Sequence, residues 1–426
     1  MAPLGCANLA GVPTLVLVLA VLAVTKGPVY RVRVQAADLP PGTDFIDDRW
    51  VQAAFLAVYA ALIAVSWPAW PRLWQRARPV VVTQGVLVAV VLASASWSIA
   101  SRRTAEQALM LGVGTAAFLL AGARFSMTRA LGATWGALQI GVVASALAGV
   151  LDWRFAVDRN GDLAGIYFNR NSLGAVAALG VLTSGAVVWV MVRRWHRSGK
   201  GRHGIAVVVV AAGGVLDAGV WVRSGSLTPA LAVAVAVAVG ALVMVATRPG
   251  PGQWMRRRIA ATVSAVALAL VAVAVALRAQ LTEVLGRSPT FSGRTEIWAE
   301  VIDAWQRRPV NGFGFMAVWF DPTLRAGLAV RRREVFEAHS GYLEVFVGAG
   351  LVGAAALVAV VVVAIMAVTG RVRSSSSPGN DPVALWCVMA LSFALAANLG
   401  ETYVGANLMV WSVFVMVSAQ SRMRRT

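Results

Sequence analysis

Runs of about twenty apolar residues recur along the whole chain, and each is long enough to cross a bilayer as a helix. Twelve can be marked, at 7–25, 50–67, 79–97, 104–121, 131–150, 171–192, 204–222, 227–247, 259–277, 341–369, 382–399 and 403–419. Several consist mostly of Ala and Val, and the stretch from Ala230 to Gly240 alternates the two. Val is a poor helix former in water. In hydrocarbon, however, every backbone N–H and C=O must pair within its own segment, which selects helix. Barrel strands would be shorter and would alternate polar with apolar residues, a pattern absent here. The expected fold is an all-α polytopic membrane protein of about 12 transmembrane helices. A composition 58% hydrophobic and only 13% charged excludes disorder and most soluble folds. No basic residues precede the first run, which therefore reads as an uncleaved span. Cys6 and Cys387 lie in or near separate runs and can build neither a disulfide framework nor a thiolate metal site.

The net charge of +19 would suit a nucleic-acid binder, but its distribution argues otherwise. If the N-terminus is inside, the cytoplasmic loops hold Arg72, Arg76, Arg78, Arg124 and Arg129. They also hold the basic run from Arg193 to Arg202, Arg248, the triplet Arg256 to Arg258, Arg371, Arg373 and the tail arginines. Asp381 is the one acid on that side, and nearly all the others fall opposite. This is the positive-inside pattern, an anchor against anionic headgroups, and both termini are expected in the cytoplasm.

The outer loops hold the candidate chemistry. Asp44, Asp47 and Asp48 in loop 26–49 read as a solvated turn. Arg170, Asn171 and Ser172 stand at the mouth of a span, where Asn171 and Ser172 either cap the helix or line a polar vestibule. Arg223 ends another span beside a Gly/Ser-rich turn, suited either to snorkelling or to holding a phosphate. Asp217, buried six residues earlier, is on the wrong face to pair with it in the helix and is expected to reach another helix. The long polar loop carries nine of the 38 basic residues. Within it, apolar residues at 297, 298, 301, 302 and 305 oppose Glu296, Glu300 and Asp303. That predicts an amphipathic helix, capped by Ser292, entered through Arg294 and set at the membrane interface by its two tryptophans. Pro309 and Asn311-Gly-Phe-Gly314 end it. The loop closes on His339, a residue able to accept a proton near neutral pH, with Tyr342 and Glu344 just beyond. No G-x-x-x-x-G-K-[ST] run for ATP and no aspartate pair suited to a sugar nucleotide is present, so no metal or other cofactor is expected.

Gly293-Arg294-Thr-Glu-Ile-Trp298, Arg308-Pro309-x-x-Gly312-x-Gly314, Ala338-His339-Ser-Gly-Tyr-Leu-Glu344 and Gly350-Leu-Val-Gly353 together resemble the O-antigen ligase, O-antigen polymerase and exopolysaccharide polymerase superfamily. Ser96-Trp97-Ser98, Gly165 to Gly174 and Asn398-Leu-Gly-Glu401 add to the likeness. The resemblance implies a metal-independent glycosyltransferase with a multi-span, C-type fold in the bacterial inner membrane. It would move a glycan from polyprenyl pyrophosphate to an acceptor sugar hydroxyl on the extracytoplasmic face. His339, Arg294 and Arg223 would be catalytic, and Arg170, Asn171, Tyr342, Glu344 and Glu401 would bind substrate. A flippase and a chain-length regulator are implied as partners, nucleic acid is not. The chain would then divide into a nine-span region (1–277), an extracytoplasmic catalytic loop (278–340) and a three-span region with a cytoplasmic tail (341–426). Two departures stand out: Val222 precedes Arg223 where the family often has Ser, and Ser340 follows His339 where it often has Asn. The wording of the motifs favours repeat-unit polymerisation over ligation of a finished glycan. Secondary transport of an anionic solute is the competing class, but the spans hold few charges and no evident repeat.

Overall fold

The computed structural model describes residues 11–27, 49–247, 294–330, 335–375 and 381–423, apart from 152, 154–155, 159–160, 200, 336 and 406–407, together with scattered positions between 254 and 265. The expected span at 259–277 lies largely outside these residues. So do Cys6, Asp44, Asp47, Asp48, Ser292 and the arginines at 331–333.

Helix dominates, and among the described residues the only β pairing is an isolated bridge between Val157 and Leu163. In chain order the helices are α1 (Gly11–Val24), α2 (Arg49–Ser66), α3 (Trp70–Ala93), α4 (Ser101–Arg124), α5 (Met127–Val150), α6 (Arg170–Ser198) and α7 (Gly201–Ser224). They continue with α8 (Thr228–Ala246), α9 (Arg294–Arg307), α10 (Pro322–Val330), α11 (Gly341–Arg373), α12 (Pro382–Ala397) and α13 (Met409–Gln420). Seven helical stretches among the described residues are long and apolar enough to cross a membrane; the first, Trp50–Ser96, contains two of the expected spans. Three shorter apolar helices, α1, α12 and α13, coincide with three more. The protein is thus a polytopic helical membrane protein.

The expected span at 403–419 begins only at Met409. Residues 398–405 are turned into a loop whose polar groups serve other elements: the carbonyls of Asn398 and Glu401 both accept from Gly341 N–H, and Asn398 Oδ1 accepts from Tyr403 N–H. The three C-terminal helices do not form a separate body. α12 packs on α6 and α8, α11 along α3, and α13 against α4, all within one apolar core. The 1–277 and 341–426 regions are therefore divisions of chain order.

Asp217 reaches across helices, as its face requires. Its carboxylate accepts from Gln139 Nε2 of α5 at 2.7 and 2.8 Å and from Ser184 Oγ of α6 at 2.9 Å. A buried carboxylate so enclosed ties three helices together where no water can compete.

The long loop is stitched into the bundle. α11 is broken at Gly350, whose φ of 62° and ψ of −158° only glycine adopts readily. The break exposes carbonyls that would otherwise be paired, and the turn segment after α9 takes them up. Phe313 N–H donates to Val347 O at 3.1 Å and Gly314 N–H to Gly348 O at 2.8 Å, while Leu351 N–H returns to Pro309 O at 2.9 Å. The other side of the same segment meets the α3–α4 connection. Trp97 Nε1 donates to Asn311 O, Ile99 N–H to Phe313 O, and Phe315 N–H to Ser94 Oγ. Irregular backbone inside a membrane protein survives when neighbouring elements satisfy it, and that accounts for the glycine motifs at 312–314 and 350–353.

α9 and α10 enclose a second small core with Phe313, Trp319, Ala338 and Val347. The apolar stripe of α9 is as expected at Ile297 and Val301, and its tryptophans make contacts within the protein. Trp298 donates to Ala338 O at 2.8 Å, and Trp305 stacks on Phe346 of α11 at 4.4 Å between centroids. The stripe is used to dock the loop on α11, with both tryptophans half-buried there.

Candidate active site

The termini of α6, α8, α9, α11 and α12 meet at one end of the bundle, and Glu401 lies where they converge. One oxygen, Oε1, forms an ion pair with Arg294 at the start of α9 and accepts from Asn171 Nδ2 of α6 at 2.7 Å. The other, Oε2, lies 3.3 Å from His339 Nδ1. Arg294 is only 7% exposed and donates its second nitrogen to Thr228 Oγ1 at 3.0 Å. Asn171 Oδ1 accepts in turn from Ser226 Oγ at 2.9 Å. Residues more than a hundred positions apart thus share one hydrogen-bonded cluster. Asn171 and Ser172 leave the helix cap to Asn169, whose Oδ1 accepts from Ser172 N–H, so Asn171 is released to the vestibule side.

His339 sits at a left-handed φ of 47°, uncommon outside glycine and tolerated by His better than by most residues. Ser340 caps α11 after it, in the role an Asn could also fill. Burial alone would lower the imidazole's pKa. The hydrogen bond donated to Glu401 and the charges of Glu337 and Glu401 outweigh that, against the opposing Arg294, and hold it above the ordinary imidazole value. With its Nδ1 turned to Glu401, the ring has Nε2 as the atom left to accept a proton.

The remaining predicted residues scatter. Arg223 is exposed at the end of α7 and makes no ion pair among the described residues. It does not touch the cluster, but the turn it opens delivers Ser226 and Thr228 to it. Arg170 is committed to Asp162, with Asp158 at 3.9 Å, and staples the preceding loop. Tyr342 donates to Leu395 O of α12 at 2.7 Å and joins two helices. Glu344 has no exposed surface: Oε1 accepts from Trp319 Nε1 at 2.8 Å and Oε2 from Ala338 N–H at 2.9 Å, so it offers nothing to a ligand. Sequence reasoning overlooked Ser226, Thr228 and Glu337. The first two lie in the Gly/Ser-rich turn already noted, where small hydroxyl residues beside a buried arginine were the available signal.

Glu337, His339 and Glu401 bring three atoms capable of metal ligation within 4.8 Å of one another. Glu401 is already ion-paired through Oε1 with the Arg294 guanidinium, and a cation on its other oxygen would meet that charge at close range.

Comparison with known proteins bears on the same region. Residues 212–358 match the family model described as O-Antigen ligase. That segment runs from within α7 to within α11 and holds Arg223, Arg294 and His339.

Over this segment the chain is similar to the O-antigen ligase family.

It is also similar to the exopolysaccharide production protein ExoQ of Rhizobium meliloti (strain 1021), at 30% identity over 118 residues. The aligned stretch spans 26% of this chain and 26% of that relative, about a quarter of each. Asn171 and Glu401 lie outside the family segment, so two members of the cluster are supplied by elements that the match does not reach.

Proposed function

We propose that this protein transfers a glycan from polyprenyl pyrophosphate to a sugar hydroxyl on the extracytoplasmic face of the bacterial inner membrane, polymerising surface or exopolysaccharide repeat units. The observation that carries the reading is the convergence of Arg294, His339 and Glu401 at the bundle end opposite the basic loops. A buried guanidinium beside a positioned imidazole suits a reaction in which one oxygen loses a proton while a diphosphate departs.

In the proposed reaction the acceptor hydroxyl attacks the anomeric carbon of the first sugar. Its proton passes to His339 Nε2, the bond from that carbon to the pyrophosphate oxygen breaks, and polyprenyl pyrophosphate leaves with the electron pair. Arg294 and the exposed Arg223 receive the growing phosphate charge. Glu401 carries no reacting atom in this scheme. It holds Arg294 and His339 in register, and it stabilises the imidazolium once the proton has arrived.

Ligation of a finished glycan to a different acceptor is the second reading, favoured by the description of the matched family. The test is purified protein with a polyprenyl-pyrophosphate glycan, with and without a separate acceptor. A ladder of lengthening lipid-linked products supports polymerisation, and one discrete transfer supports ligation. No transfer with either acceptor would overturn both.

A further inference from the structure

His339 is held by its neighbours' side chains. The N–H of Ala338, the residue before it, donates to Glu344 Oε2 at 2.9 Å, and the carbonyl of Ala338 accepts from Trp298 Nε1 at 2.8 Å. Both polar groups of one backbone residue are therefore taken by side chains from two different helices, α11 and α9. Glu344 is in turn fixed by the Trp319 indole at 2.8 Å. Beyond His339, Gly341 N–H is bonded to the carbonyls of Asn398 and Glu401 at 3.0 and 3.1 Å. The chain on either side of the histidine is tied down while its φ remains left-handed at 47°. Ala338 and Glu344 are both fully buried, so water cannot replace either bond.

We infer that Glu344 is a positioning residue which, with Trp298, clamps Ala338 so that the His339 imidazole stays against Glu401. The inference rests on the reading of His339 as the base. Its specific chemical content is that two N–H donors converge on one side chain. A carboxylate accepts at both oxygens; a glutamine would turn an amide N–H₂ toward one of the donors. Glu344→Gln therefore keeps the shape but loses one of the bonds, and His339 relaxes away from Glu401.

The experiment uses the full chain in nanodiscs with a polyprenyl-pyrophosphate glycan donor. Glu344→Gln is expected to lower kcat on the order of 10²-fold, the scale of a displaced catalytic group, and to leave the donor KM unchanged. Glu344→Gln/Trp319→Phe is expected to recover most of that loss, because the glutamine amide then faces a ring rather than an indole N–H. Trp298→Phe, which removes only the bond to the Ala338 carbonyl, should lower kcat less and in the same direction. The chain has three histidines, so His339 can also be followed by ¹⁵N NMR after assignment with His339→Ala. Its titration midpoint should fall in Glu344→Gln as the contact with Glu401 loosens, a change a merely structural defect would not produce. An unmoved midpoint with unchanged kcat, or a loss confined to KM, would overturn the clamp. If His339→Ala retains full activity the base reading itself fails; if it abolishes activity while Glu344→Gln does not lower it, only the clamp fails.

Discussion

Arg294 and Glu401 form a buried ion pair, and such pairs are worth most when neither partner is removed. Truncating one leaves the other charged and unpaired at a cost of roughly 3–5 kcal/mol. Glu401→Ala is therefore expected to destabilise the protein measurably in thermal unfolding, whereas Glu401→Gln, which can still accept from Arg294, should fold. The same Gln variant separates stability from chemistry. A base must be unprotonated to act, so activity falls on the acid side as His339 gains its proton. Because Glu401 holds the imidazole above its ordinary value, the acid limb of the wild-type rate profile should lie above that value, and Glu401→Gln should move it down. A limb that does not move would separate the two residues. His339→Ala should cut turnover by roughly 10²–10⁴-fold, measured as lipid-linked product per unit time. Incubation with a chelator should leave turnover unchanged, since Glu401 is already ion-paired with Arg294 and a further cation would meet that charge; a chelator-sensitive rate restored by added divalent ion would argue for a metal at Glu337, His339 and Glu401.

At the scale of elements, the break in α11 is the feature that gives the loop its place. Gly350→Ala would put a side chain into a backbone region open almost only to glycine, against the carbonyl of Val310. A cost of about 1–3 kcal/mol is expected, read as a lowered thermal midpoint in detergent. A midpoint equal to wild type would mean the break relaxes without consequence. Asp217 acts differently: it joins α5, α6 and α7 away from the cluster. Asp217→Ala should lower resistance to unfolding by about 1–2 kcal/mol and leave the donor KM unaltered. The amphipathic period of α9 was readable from the chain, but its destination was not. Tryptophans at 298 and 305 suit a membrane surface and a protein groove equally well by composition, and only the presence of Ala338 O and Phe346 opposite them decides between the two.

At the scale of the molecule, the alternating helices gather Arg124, Arg193, Arg371 and their neighbours at one end and the Glu401 cluster at the other. Labelling introduced cysteines at Arg129 and Phe168 with an impermeant reagent in intact cells should modify only the second, which checks the proposed sidedness. Apolar runs were enough to determine a polytopic helical membrane protein, because burial in hydrocarbon acts on each segment by itself and leaves its mark locally. Arg294 and His339 could also be singled out in the sequence, one at the entry of the amphipathic helix and the other at the close of the long polar loop. What joins them was not. Glu401 reaches Arg294 over 107 residues and Asn171 over 230, and no local pattern records such contacts. Glu344, read from sequence as a ligand group, became an internal brace once Trp319 and Ala338 closed over both its oxygens. The sequence by itself determined which residues could carry charge at the membrane face. The tertiary structure decided which of them meet, because meeting depends on how the ends of separate helices pack.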